Sequence, residues 1–111
     1  MTEKDRQNCE ELLKLIRENP DLPVVPFVDG EIPGDDCGYW LAAWGSAIID
    51  EYLLTNNGDV VFKSDDDLFD VLERCLPDWE FEKLPETKEE CRIYYDALSW
   101  TKAIIVYINS L

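Results

Sequence analysis

The residues Ala103 to Ile108, AIIVYI, are apolar at every position, so a strand built from them needs cover on both pleat faces. Such a strand belongs in the middle of a sheet. It comes last in the chain, so it inserts beside strands formed much earlier, and removing it is expected to unfold the protein rather than trim it. With 111 residues and 46% hydrophobic content there is material for one core and one domain spanning residues 1–111, and disorder as the global state is excluded.

The remaining elements follow from local signals. Thr2 and Asp5 form a capping-box-like start. Cys9, Leu12, Leu13 and Ile16 then recur at helical spacing, and Asn19-Pro20 stops the helix. Val24 to Val28 is β-branched and aromatic, with Pro26 inside it, which makes it an edge strand or extended segment. Between Tyr39 and Thr55, Trp40, Trp44, Ile48 and Tyr52 recur every four residues, a spacing that fits one helical face or one strand face. Gly45-Ser46 weakens a helix, and the run leads through Asn57-Gly58 into Val60, Val61 and Phe62. The reading is therefore two strands and a hairpin, with an amphipathic helix ending at Asn57-Gly58 as the alternative.

Ser64 reads as the next N-cap, with Asp65, Asp66 and Asp67 in the first turn, where the unpaired amides favour negative charge. Leu68, Leu72, Cys75 and Leu76 make that helix's stripe, and Pro77 ends it. After the short segment DWEFEKL, Thr87 and Glu90 box the start of a helix with the stripe Cys91, Tyr94, Tyr95 and Leu98. The expected class is α+β, a mostly antiparallel sheet of about four or five strands with an N-terminal helix and two or three helices packed on it. Nothing repeats, and no linker or low-complexity tract is visible.

Charge bounds the partners. Asp and Glu number 25 against 10 Lys and Arg, a net −15 with no histidine. That field repels nucleic acid and anionic membranes, so direct nucleic-acid binding is excluded and the expected partner is a basic protein surface. Without histidine the chain lacks the commonest general base, the commonest zinc ligand and any His-assisted nucleophile. No phosphate loop, GxSxG elbow or HExxH occurs, and no apolar stretch reaches membrane-spanning length. The reading is a non-enzymatic protein that needs no metal or cofactor.

Cys9, Cys37, Cys75 and Cys91 lie far apart and match no thiolate metal spacing. Two disulfides are formally open. The charged N-terminal sequence lacks a signal-peptide apolar stretch, and reduced cytosolic thiols are the simpler expectation.

Residues 35–75 carry 10 acids and 2 bases, −8 of the −15. Within them Asp66, Asp67, Asp70 and Glu73 fall at three- and four-residue spacings and could line one exposed helix face. The interaction candidates are Asp65, Asp66, Asp67, Asp70 and Glu73, with Trp40, Trp44 and Trp79 as aromatic anchors. Tyr39 and Trp100 join Trp40 and Trp44 as a possible patch, for which core packing is the competing reading, and Trp79 is the tryptophan expected to be exposed. The loop Asp29, Glu31, Asp35, Asp36 has the composition of a calcium site without EF-hand spacing.

The segments LPVVPFVDGEIPGDDCGYWLAAWGSAIIDEYLL, VVFKSDDD, LPETKEEC and DALSWTKAIIVYI together resemble small acidic proteins of bacterial prophages and conjugative elements, a group without an assigned activity. The resemblance covers most of the chain after residue 20. It implies a bacterial cytoplasmic setting and a mobile-element origin, and it transfers no functional residues. It adds weight to one sharper expectation, a DNA mimic that sets carboxylates where a nucleic-acid-binding enzyme expects phosphates. A small carboxylate or divalent-metal enzyme, and an assembly protein joined through a sheet edge or the tryptophans, are the alternatives from other classes.

Overall fold

The structure, a computed structural model, describes residues 2–32, 38–64 and 67–111. Its elements are α1 (Glu3–Glu18), β1 (Val24–Val28), β2 (Ala43–Leu54), β3 (Val60–Phe62), α2 (Leu68–Cys75), α3 (Asp78–Phe81), α4 (Lys88–Asp96) and β4 (Thr101–Asn109). The class is α+β. Four strands form a mixed, mostly antiparallel sheet in the order β1-β4-β2-β3, with α1 packed on it. The last strand does insert between two early ones. It runs parallel to β1, pairing Val24 with Ile104 through Val28 with Ile108, a direction the local signals did not announce.

The chain divides into two compact units, Met1–Ile49 with Lys102–Leu111, and Asp50–Thr101. In the first, Leu12, Ala47, Ile104 and Val106 form the buried core, with Leu15, Leu22 and Ile108 against it. Ala103 through Val106 are buried on both pleat faces, and each large aliphatic side chain so placed contributes roughly 1.5–3 kcal/mol. The Thr2 hydroxyl caps α1 by accepting from the Asp5 amide. The stripe expected on this helix is turned by one position. Leu12 is buried and Leu15 half-buried, whereas Leu13 and Ile16 face solvent. The Asn8 side chain donates to the Trp44 carbonyl at 2.9 Å, so the face that meets the sheet runs through Asn8, Leu12 and Leu15.

In the second unit, Leu53, Val61, Leu68, Val71, Leu72, Cys91 and Tyr95 form the core, flanked by Phe81, Leu84, Leu98 and Trp100. The strand reading of residues 39–55 holds for Ala43–Leu54, and the helix alternative does not form. The turn is not a two-residue one. Gly58 N–H donates to the Thr55 carbonyl and Thr55 N–H to the Asp59 carbonyl, so Asn56, Asn57 and Gly58 make a three-residue loop. Gly58, at φ +85, supplies the left-handed residue that such a type I turn plus bulge requires.

Ser64 does not cap α2. The cap is Asp67, whose carboxylate accepts from the Phe69 and Asp70 amides, while the Ser64 hydroxyl donates to Asp50 at 2.6 Å. A carboxylate three residues nearer the apolar run wins because the buried Leu68 and Leu72 fix where the helix starts. Thr87 caps α4 as expected, Cys91 and Tyr95 are buried, and Tyr94 is exposed instead of joining the stripe. Among the described residues no helix is long and apolar enough to cross a membrane.

Candidate functional site

Between the hairpin and α2 of the second unit, one cation is held between two carboxylates. Arg74, in the last turn of α2, meets Asp70 one turn earlier at 3.1 Å and Asp59, just past the hairpin loop, at 3.5 Å. The Asn56 amide donates to the Arg74 carbonyl at 3.4 Å, which ties the hairpin loop to the helix end. Asn56, Asn57, Asp70, Glu73, Arg74 and Asp78 line the shallow depression between them. Pro77 breaks α2, and the chain restarts at once in α3, so Asp78 is delivered to the same rim.

Asp59 and Asp70 thus hold the guanidinium, and Glu73 and Asp78 line the same depression beside it. The hydrogen bond with Asp70, reinforced by the charges of Asp70 and Asp59, raises the Arg74 pKa further above its ordinary value. Arg74 is therefore already committed, and Glu73 and Asp78 pair with no cation among the described residues. Trp79 follows on α3 and is 63% exposed, with the Lys83 ammonium 5.5 Å from its ring centroid. Carboxylates beside an exposed aromatic are the groups that attract and then anchor a cationic protein surface.

The acidity is not uniform over this unit. Elsewhere Lys63 bridges Glu51 and Asp96 at 3.5 Å each, Arg92 stacks over the Tyr95 ring, and Asp50 binds Ser64. A further depression carries Asp67 and Glu89 with Lys88 and Arg92. Those places are balanced patchwork. Counting the whole unit, 15 acids and 5 bases leave −10 of the −15.

Of the residues expected to form an interaction face, Asp70 and Glu73 are brought together and Trp79 lies on the next helix. Asp67 is occupied by its capping bonds, and Asp65 and Asp66 lie outside the described residues. Trp40 and Trp44 are exposed in the other unit. Trp100 is not part of an exposed patch. It packs on the core with its indole N–H donating to the Tyr95 carbonyl at 2.8 Å. Asp59 and Asp78 were missed. The signals that could have found them are the hairpin, which returns Asp59 toward the helix, and Pro77, which restarts a helix at Asp78.

A cleft of about 420 Å³ in the same unit is lined by Tyr52, Leu53, Leu54, Asn56, Cys75, Leu98, Ser99 and Thr101. It carries no charged side chain, and burial pushes the Cys75 thiol up, away from thiolate chemistry. Among the described residues no three Asp, Glu or Cys side chains converge as metal ligands. Of the acidic loop with calcium-site composition but no EF-hand spacing, Asp29 spends a carboxylate oxygen on the Glu31 amide, and Asp35 and Asp36 lie outside the described residues. Comparison with protein-family models, with curated proteins and with solved structures matched nothing.

Proposed function

We propose that the chain is a non-enzymatic interaction module, of mobile-element origin in a bacterial cytoplasm, that docks the acidic rim of α2 and α3 on a basic protein surface. The observation that carries this reading is that Arg74 is committed to Asp59 and Asp70 while Glu73 and Asp78, in the same depression, pair with no cation among the described residues. A partner's lysines or arginines relieve the repulsion among Asp59, Asp70, Glu73 and Asp78, and Trp79 supplies apolar contact beside them. The attraction speeds encounter and fades as salt screens it over a Debye length of about 8 Å at physiological ionic strength.

The test is capture of partners from a bacterial lysate at about 0.05 M and 0.5 M salt, using the wild type and a Glu73→Gln, Asp78→Asn variant. Those two positions leave the Asp70–Arg74 pair intact. A specific partner lost both at high salt and in the variant supports the reading, and binding indifferent to both sinks it. Where the captured protein binds nucleic acid, displacement by duplex DNA sharpens the reading to phosphate mimicry, and simultaneous binding of duplex and chain removes that version.

A further inference from the structure

An asparagine side chain can be hydrolysed without an enzyme when the next backbone nitrogen attacks it, and a Cβ on that next residue hinders the approach. Of the five asparagines in the chain only Asn57 is followed by glycine. Asn19 precedes Pro20, whose nitrogen has no hydrogen to lose. The Asn8 and Asn19 side chains are also occupied, donating to the Trp44 and Leu15 carbonyls. Asn56 and Asn109 precede residues that carry a Cβ.

Asn57 and Gly58 are exposed at the tip of the hairpin, and a Cβ built on Gly58 would meet nothing within 4 Å. Thr55 clamps this loop. Its carbonyl accepts from the Gly58 amide at 2.9 Å and its hydroxyl accepts from the Asp59 amide at 3.2 Å. Beyond the loop β3 pairs over three residues at the edge of the sheet, so the hairpin tip belongs to the parts of the fold that open locally at least cost.

We infer that Asn57 is a modification site, converted by water to aspartate and isoaspartate through a cyclic imide. When the loop opens, the Gly58 nitrogen loses its proton to solvent base and bonds to the carbonyl carbon of the Asn57 side chain. The bond from that carbon to the amide nitrogen breaks, and ammonia leaves with a proton taken from water. Water then adds to either carbonyl of the five-membered ring and opens it, which leaves a carboxylate and restores the Gly58 N–H. Nothing is oxidised or reduced. Ring closure consumes the hydrogen that Gly58 gives to Thr55, so the folded turn slows the step and loop opening sets its rate. Ring opening at the backbone carbonyl yields isoaspartate and puts an extra methylene into the loop.

Asn57 lines the depression that holds Glu73 and Asp78, so the product adds a carboxylate beside two that pair with no cation among the described residues. An aged chain therefore differs from a fresh one at the rim proposed for docking. The conversion is read on the chain alone, so its failure and that of the docking are distinguishable.

The test incubates the full chain at mildly alkaline pH, folded and in guanidinium chloride, and follows intact mass, anion-exchange retention and peptide maps that separate aspartate from isoaspartate. A gain of one dalton and one negative charge is expected at Asn57 ahead of the other asparagines, with both products present. Conversion is expected to be severalfold faster in denaturant, where Thr55 no longer holds Gly58. Asn57→Gln keeps an amide but would need a six-membered ring, and is expected to lose the early shift, with its thermal midpoint reporting that it folds. Conversion that begins at Asn56 or Asn109 overturns the inference. So does a shift that persists in Asn57→Gln, or a folded chain left unconverted after the denatured chain has converted fully.

Discussion

The buried Tyr95 hydroxyl of α4 donates a 2.7 Å hydrogen bond to the backbone carbonyl of Lys63, 32 residues earlier, just past the end of β3. Its ring meets the Trp100 indole edge-on at a centroid distance of 5.2 Å. One side chain thereby fastens the hairpin, α4 and the approach to β4. Tyr95→Phe keeps the ring and leaves the Lys63 carbonyl short of a partner, which is expected to cost about 1–3 kcal/mol. Tyr95→Ala also opens a cavity and is expected to cost about 3–5 kcal/mol. Denaturant unfolding of both variants checks the order, and equal stabilities would contradict it.

Asp67 and Ser64 compete in the sequence for the N-cap of α2, and only Asp67 accepts from the helix amides. Asp67→Ala is expected to cost about 1 kcal/mol. Ser64→Ala, which removes one exposed hydrogen bond to Asp50, is expected to stay within about 0.5 kcal/mol. The same unfolding measurement separates them, and a larger loss at Ser64 would return the cap to the position expected from the sequence.

Gly45 is required by space. A Cβ there would stand 2.6 Å from the Tyr107 carbonyl oxygen and 2.7 Å from the Asn109 side-chain nitrogen. Backbone cannot step aside cheaply, so Gly45→Ala is expected to cost about 1–3 kcal/mol or more by overpacking. Gly58 is required by conformation instead, with φ at +85 and open space around it. Gly58→Ala is expected to cost about 1 kcal/mol. Thermal midpoints that fall more for Gly58 than for Gly45 would reverse this assignment.

Burial raises the Cys75 thiol above its ordinary 9.0, against the lowering charge of Arg74. A raised folded value means the unfolded chain loses this proton first. The stability contributed by the neutral thiol is therefore present below pH 9.0 and lost as pH rises through the folded value. The gap in thermal midpoint between the wild type and Cys75→Ala is expected to move against the wild type above pH 9.0. A gap that stays constant there would refute it.

Local chemistry was legible wherever one residue type satisfies one backbone need. Thr2 and Thr87 cap their helices, Asn19-Pro20 and Pro77 end theirs, and Pro26 sits on an edge strand, because hydroxyls meet orphan amides and proline lacks its own. The four-residue recurrence through Trp44 and Ile48 was ambiguous because it fits both periods. It resolved as strand because Gly45 admits the backbone of β4 and the turn at Gly58 returns the chain. The candidate site was half legible. Asp70 and Glu73 share a helix and announce themselves by spacing, whereas Asp59 and Asp78 join them through the hairpin and the break at Pro77.

By itself the sequence determined the α+β class, the last strand with its core buried on both faces at Ala103–Val106, the caps at Thr2 and Thr87 and the surplus of negative charge. Those rest on composition and on interactions a few residues long. Only the tertiary structure decided that β4 lies parallel to β1, that α1 is turned to bring Asn8 onto Trp44, that Trp100 is core while Trp79 is surface, and which carboxylates gather around Arg74. Each of those depends on groups far apart in the chain meeting across the fold, and no local periodicity encodes such a meeting.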